Sequence, residues 1–187
     1  MTAGTYKQAH SWRFDCRNVT SLESVNGILS PLLFAATSNR SLHVLDAVSG
    51  SICRTIENSH GRSIHSIALP QPSVYAQLDQ ASYNVFATAA ADNCINIWDL
   101  RAPTVSLRFT GHTNRRESVQ IALSPCLRFL ACGSEAKSAL LVDLRTGAEV
   151  VKYNGYRDVV AGVAFHPLSP QLATAAYDGS VKFYSSP

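Results

Sequence analysis

Charge is scarce in this chain of 187 residues: only 16% of them are Asp, Glu, Lys or Arg, and 16 basic residues against 13 acidic ones leave a formal charge of +3. So small a surplus does not by itself point to nucleic acid. With 46% hydrophobic residues the chain also does not read as intrinsically disordered. No apolar run approaches the ~18 residues needed to span a bilayer, and MTAGTYKQAH has no hydrophobic signal core. The five cysteines (Cys16, Cys53, Cys94, Cys126, Cys132) share no CxxC spacing and fall mostly in apolar segments, which suits a reducing compartment. The six histidines lack the close His/Cys/acid spacing of a zinc site, and no Gly-rich phosphate loop is present. The expectation is a chain without metal, cofactor or membrane segment. We expect it to be intracellular and cytoplasmic, with a nuclear or ciliary location left open.

What is present is a repeat, and repeats decide the fold before any single residue does. Four segments align: LLFAATSNRSLHVLD, VFATAAADNCINIWD, RFLACGSEAKSALLVD and QLATAAYDGSVKFY. Each reads as a strand of small and β-branched residues, a tight polar turn and a second strand closing on a large apolar residue. Those closing residues are Leu45, Trp98, Val142 and Tyr184, spaced 53, 44 and 42 apart. Another strand precedes each pair (VTSLES, SIHSIAL, VQIALSP, VVAGVAFHP), and a fourth follows the first three (SICRTI, VSLRFT, EVVKY). The pattern predicts an all-β chain of about four antiparallel four-stranded units, with strands a, b, c and d in order.

Trp98-Asp99 at the end of a strand c and Gly111-His112 ahead of the next unit give this pattern a strong resemblance to the WD40 repeat family over nearly the whole chain. The resemblance implies β-propeller blades, about 15–56, 57–109, 110–153 and 154–187, after a flexible segment 1–8. It also implies a hydrogen-bonded tetrad in each blade: a His before strand a, Ser or Thr in strand b, Asp in the b–c turn and Trp in strand c. The second blade has all four, as His60, Thr88, Asp92 and Trp98, and the fourth offers Tyr156, Thr174, Asp178 and Tyr184. The third keeps His112 with Cys132, Ala136 and Val142, and the first has Ala35, Asn39 and Leu45, so those two must rely on apolar packing. His60, Thr88 and Asp92 superficially suggest a nucleophilic triad, but a triad needs an exposed nucleophile beside an oxyanion site. No catalytic residue is expected.

The fourth blade lacks a strand d of its own, whereas residues 9–14 (AHSWRF) stand before the first strand a as a strand d without a blade. This N-terminal strand is expected to complete the last blade, or a blade of a neighbouring chain, as ring closure would require. Four blades make either a small closed ring, half of a ring completed by a homodimer, or a piece of a longer propeller.

A protein partner is expected, on one of three surfaces. Loops before strand a carry Arg17, Arg62, Arg115, Arg116 and Arg157, and b–c turns carry Arg40 and Lys137, so the top face could take an acidic or phosphorylated segment. Asp15, Glu57, Glu117, Glu135 and Asp158 lie in the same loops and could neutralise them. The lengthened a–b loop of the second blade brings Tyr75, Leu78 and Tyr83 to the bottom face, either as a partner contact or as a flap over its own blade. Trp98-Asp99-Leu100-Arg101, echoed by Val142-Asp143-Leu144-Arg145, resembles the WDxR box of WD40 substrate receptors for cullin-4 ubiquitin ligases. That resemblance implies adaptor binding through Arg101 and Arg145, with Asp99 beside them; the plainer alternative is a capped c–d turn. Aromatic residues are not interleaved with the arginines, apart from Tyr156 beside Arg157, and nucleic acid is not expected.

Overall fold

Short runs of β-branched and aromatic residues, punctuated by Gly, Pro and Asn-rich turns, leave no segment long enough for a stable helix. The computed structural model describes residues 7–24, 30–73, 76 and 78–185, in fifteen strands and one short 3-10 helix. Blade 1 holds β1 (Val19–Ser24), β2 (Leu32–Thr37), β3 (Leu42–Asp46) and β4 (Ile52–Ile56). Blade 2 holds β5 (Ile64–Ala68), β6 (Val85–Ala90), β7 (Cys94–Asp99) and β8 (Val105–Phe109). Blade 3 holds β9 (Ile121–Leu123), β10 (Phe129–Cys132), β11 (Ala139–Asp143) and β12 (Glu149–Tyr153). Blade 4 has β13 (Val160–Phe165), β14 (Gln171–Ala176) and β15 (Val181–Ser185). All four sheets are antiparallel meanders in sequence order. Among the described residues, no helix is long and apolar enough to cross a membrane.

Period-two alternation gives every blade two faces, and the blades stack face to face through them. Phe34, Ala36, Leu42 and Val44 leave blade 1 on one face and meet Ile67, Leu69, Phe86 and Trp98 of blade 2. The other face of blade 2 sends Ala87, Ala89, Ile95 and Ile97 against Leu123, Leu130, Leu140 and Val142 of blade 3. Ala131, Ala139 and Leu141 of blade 3 then pack on Val163, Leu172 and Tyr184 of blade 4. Adjacent inner strands touch in the succession β1, β5, β9, β13. Each buried Leu, Ile, Phe or Val in these layers contributes about 1.5–3 kcal/mol.

The structure corrects one of the two expected closures, that in which residues 9–14 complete blade 4 of the same chain. Residues 9–14 form no strand, and blade 4 stays three-stranded among the described residues. The segment lies on blade 1 instead: Trp12 donates its Nε1–H to the Gly50 carbonyl at 3.0 Å, and the Phe14 ring stacks on His43 at 4.2 Å. The physical reason is that the stack runs away from blade 1, so β15 is not beside these residues and their backbone has no ladder to join. Of the expected flexible segment 1–8, only Lys7 and Gln8 are described, both exposed and without regular structure.

Successive blades are also tied by a charged group. Arg54 of β4 donates to the carbonyls of Leu100 (3.1 Å), Ala102 (2.8 Å) and Pro103 (3.0 Å) in the c–d turn of blade 2. Arg54→Ala is expected to cost about 1.5–3 kcal/mol, the range for hydrogen bonds to a charged partner. Arg54→Lys, which lacks the fork, should recover only part of it. Urea denaturation measures both; an unchanged midpoint in Arg54→Ala would show that the turn holds itself.

Candidate functional site

One end of the blade stack gathers the b–c turns and the loops that precede each blade, and the sequence welds them together. In blade 2, His60 lies 2.8 Å by Nε2 from Thr88 Oγ1 and 3.2 Å by Nδ1 from Asp92 Oδ2, and Trp98 donates its Nε1–H to Thr88 Oγ1 at 2.8 Å. One tautomer satisfies every group: Nδ1–H donates to the carboxylate, and Nε2 accepts the Thr88 hydroxyl proton. Asp92 also accepts the backbone N–H groups of Gly61 (2.7 Å) and Cys94 (3.0 Å), which joins loop to turn. Thr88 is 0% exposed and His60 and Trp98 are 4% exposed, so no nucleophile is presented to solvent here.

Blade 4 builds the same weld from phenols. Tyr156 Oη lies 2.6 Å from Thr174 Oγ1 and 2.7 Å from Tyr184 Oη. Asp178 stays outside that cluster, accepting instead the backbone N–H of Arg157 and of Ser180, each at 2.8 Å. In blade 3 the sequence reading placed Ala136 where Asp would stand and missed the residue that acts. Glu135, one position earlier and one methylene longer, accepts the N–H groups of Arg115 (2.6 Å), Arg116 (2.6 Å) and Glu117 (2.9 Å) through one oxygen. His112 is buried there, and neither ring nitrogen has a hydrogen-bond partner among the described residues. In blade 1, Asn39 joins the Thr37 hydroxyl at 2.5 Å.

Residues 147–185 match the family described as "WD domain, G-beta repeat". Over 146 residues the chain is 31% identical to THO complex subunit 6 of Arabidopsis thaliana, covering 78% of this chain and 36% of that protein. It is 32% identical over 107 residues to coronin-7 of Bos taurus (52% of this chain, 11% of that one). It is 25% identical over 125 residues to coatomer subunit beta'-1 of Arabidopsis thaliana (67% and 13%). A chain in the crystal structure of the mitotic checkpoint complex superposes with a TM-score of 0.74 at 18% identity, over 89% of this chain and 49% of that one. The chain is built of WD40 repeats. It spans between 11% and 36% of the length of these three relatives.

Around these WD40 welds stand four exposed arginines. Arg62, Arg115, Arg116 and Arg157 are exposed, and none forms an ion pair among the described residues. Arg62 donates to the Arg115 carbonyl at 3.3 Å, which sets the loops of blades 2 and 3 side by side. At Glu135 the expected neutralisation forms no ion pair among the described residues: Oε1 takes three backbone N–H groups, and Arg116 acts on the carboxylate only through its field. Burial pushes its carboxyl up, but those three donors and Arg116 outweigh it and hold the group below its ordinary range.

The other two candidate surfaces have spent their polar or apolar groups. Arg101 folds back on Asp99 with contacts of 2.6 and 2.9 Å, and its own N–H bonds the same carboxylate. Arg101 holds the Asp99 carboxyl below its usual value. Asp143 caps its turn by accepting the N–H groups of Arg145 and Thr146, while Arg128, and not Arg145, approaches its second oxygen at 3.5 Å. On the bottom face Tyr83 sits in the short helix Gln80–Asn84, packs on the core between blades 1 and 2 and is half-buried, as is Leu78. Ser73 of the same loop donates to the Pro167 carbonyl of blade 4. Tyr75 lies outside the described residues.

No group of three or more His, Cys, Asp or Glu able to hold a metal occurs among the described residues. Burial pushes the Cys132 thiol up to about 12, far from a reactive thiolate. Burial likewise lowers the His65 and His112 imidazoles to about 4 and lowers His60 as well, despite the opposing pull of Asp92. The folded WD40 unit therefore keeps these rings neutral, whereas the unfolded chain protonates them near pH 6.5. Their contribution to stability is complete above that pH and is lost progressively as pH falls from about 6.5 toward 4. The thermal midpoint is expected to drop over this window, and His65→Gln with His112→Gln should flatten the slope. Scanning calorimetry between pH 4 and 7.5 measures it; an equal slope in the double variant would remove these two rings as the cause.

Proposed function

We propose that this WD40 unit is a non-enzymatic intracellular scaffold whose top face receives an acidic or phosphorylated segment of a protein partner. One observation carries the reading. Arg62, Arg115, Arg116 and Arg157 are exposed and form no ion pair among the described residues, on loops whose backbones are fixed from below by Asp92, Glu135 and Asp178. Guanidinium forks fit carboxylate and phosphate oxygens in pairs, and loops already held in place lose little freedom on binding. The names of the THO complex and coatomer subunits place WD40 relatives within multiprotein assemblies, which supports a scaffold role. We further propose a kinship with the C-terminal repeats of WD repeat-containing protein 27, a reading that rests on the segments ACGSE and SPQLATA. A cullin-4 receptor role through the WDLR box would require an adaptor to compete with Asp99 for Arg101.

A library of acidic peptides, with and without phosphoserine, is the direct test. Arg115→Glu with Arg116→Glu should weaken the best-bound peptide at least tenfold while leaving the thermal midpoint within a degree or two, since both side chains are exposed. Binding should also fall as salt rises from 0.05 to 0.5 M. Affinity that withstands both the charge reversal and the salt would refute the top-face reading.

A further inference from the structure

A hollow of about 400 Å³ opens on the top face where the loops leading into blades 1, 2 and 3 meet, and three hydroxyl residues line it: Thr20, Ser63 and Ser118. Two of these are spent on the fold. Thr20 Oγ1 donates to the Ala36 carbonyl at 3.3 Å, and Ser63 Oγ donates to that of Ser38 at 2.8 Å. Ser118 differs, being exposed, in irregular backbone, and without a hydrogen bond among the described residues.

What surrounds Ser118 in sequence gives that hydroxyl a chemistry. Arg115 and Arg116, the one pair of adjacent basic residues in the chain, stand three and two places before it, and the apolar Val119 follows. No other Ser or Thr has Arg at both places. This arrangement suits a protein kinase with an acidic substrate groove. The two guanidinium forks pair with carboxylates of the groove, the apolar side chain fills a pocket beyond the reacting oxygen, and the hydroxyl between them is held in line.

We infer that Ser118 is a phosphorylation site for a kinase that reads paired arginines, and that its phosphate competes with an acidic partner for the top-face guanidiniums. In the transfer, Ser118 Oγ bonds the γ-phosphorus of Mg-ATP as the bond from that phosphorus to the β–γ bridging oxygen breaks. ADP leaves, and the hydroxyl proton passes to the catalytic aspartate of the kinase. The product carries about −1.5 to −2 charges at pH 7. Arg116 lines the same hollow, and Arg62 reaches the Arg115 carbonyl at 3.3 Å, so the phosphate lies among three cations and one acid, Glu117. It therefore cancels most of the local positive surplus. The site needs only this chemistry, whereas the competition rests on the top-face reading proposed above.

The loop itself restrains the reaction. Glu135 holds the N–H groups of Arg115, Arg116 and Glu117, and Val119 is 0% exposed, so the segment must lift before an extended groove can take it. The folded chain should react more slowly than the isolated peptide Asn-Arg-Arg-Glu-Ser-Val-Gln. Glu135→Ala, which releases all three N–H groups, should speed the reaction.

The catalytic subunit of cyclic-AMP-dependent protein kinase with Mg-ATP is a suitable probe. Mass spectrometry of the folded 187-residue chain should find about one phosphate per chain, at Ser118, and none there in Ser118→Ala. Arg115→Ala with Arg116→Ala should lower kcat/KM for labelling about tenfold or more. Both variants should keep the circular dichroism spectrum, because all three side chains are exposed. Labelling only after denaturation, or labelling indifferent to either variant, would overturn the site. The phosphorylated chain should bind the best acidic peptide about tenfold more weakly than the unmodified chain, and equal binding would overturn the competition. If the unmodified chain binds no acidic peptide, the top-face reading fails and the competition with it, while the labelling still decides the site.

Discussion

Face-to-face burial of sheets is the constraint from which the rest of this molecule follows. A four-stranded antiparallel sheet has two apolar faces and cannot stand alone in water, so each blade is stable only in so far as its neighbours cover it. Blades 2 and 3 have neighbours on both sides, and their facing residues, from Ala87 and Ile95 to Leu130 and Leu140, are almost wholly excluded from water. Blades 1 and 4 each have one. Blade 1 lessens the deficit by drawing Trp12 and Phe14 across its open side, while blade 4 leaves Val181 and Phe183 in solvent.

Because the layers are dry, any polar group inside them must be satisfied locally. The tetrad of blade 2 does this with four side chains that close on one another, and Thr88 is its hinge, donating to His60 and accepting from Trp98. Blade 3 takes the other course: Cys132 and Val142 replace hydroxyl and indole, and packing replaces hydrogen bonding. His112 then remains as a buried ring with no partner among the described residues, its basicity lowered by burial and by His65 beside it. Blade 4 shows that the weld is defined by geometry and not by residue type, since three hydroxyl oxygens 2.6 to 2.7 Å apart replace the imidazole, hydroxyl and indole.

The repeat made blades and strand order legible because period-two alternation and turn residues are local properties of sequence. His60, Thr88, Asp92 and Trp98 were legible for the same reason, each lying at a fixed offset from a turn. Contacts set by the stacking of one blade on the next were not. Arg54 gives no local sign that its fork will reach three carbonyls 46 to 49 residues further on. Glu135 could have been found as an acid one place before the expected one, but only by allowing its longer side chain to make up the difference. Residues 10–14 carry the spelling of an outer strand, yet spelling cannot create the adjacent strand that a ladder needs.

Counting charges on the top face suggests near balance, and the geometry explains why the count misleads. A carboxylate that accepts backbone N–H groups spends its field on the loop beneath, as Glu135 does on Arg115, Arg116 and Glu117, and Asp178 on Arg157. The guanidiniums of Arg115, Arg116 and Arg157 form no ion pair among the described residues. Asp99 differs because it lies two residues from Arg101 on one tight turn, so a single carboxylate takes both the N–H and the guanidinium. Equal numbers of acids and bases therefore give a cationic surface in one place and a neutral turn in another. What decides between them is whether the acid must first hold a distant loop in place.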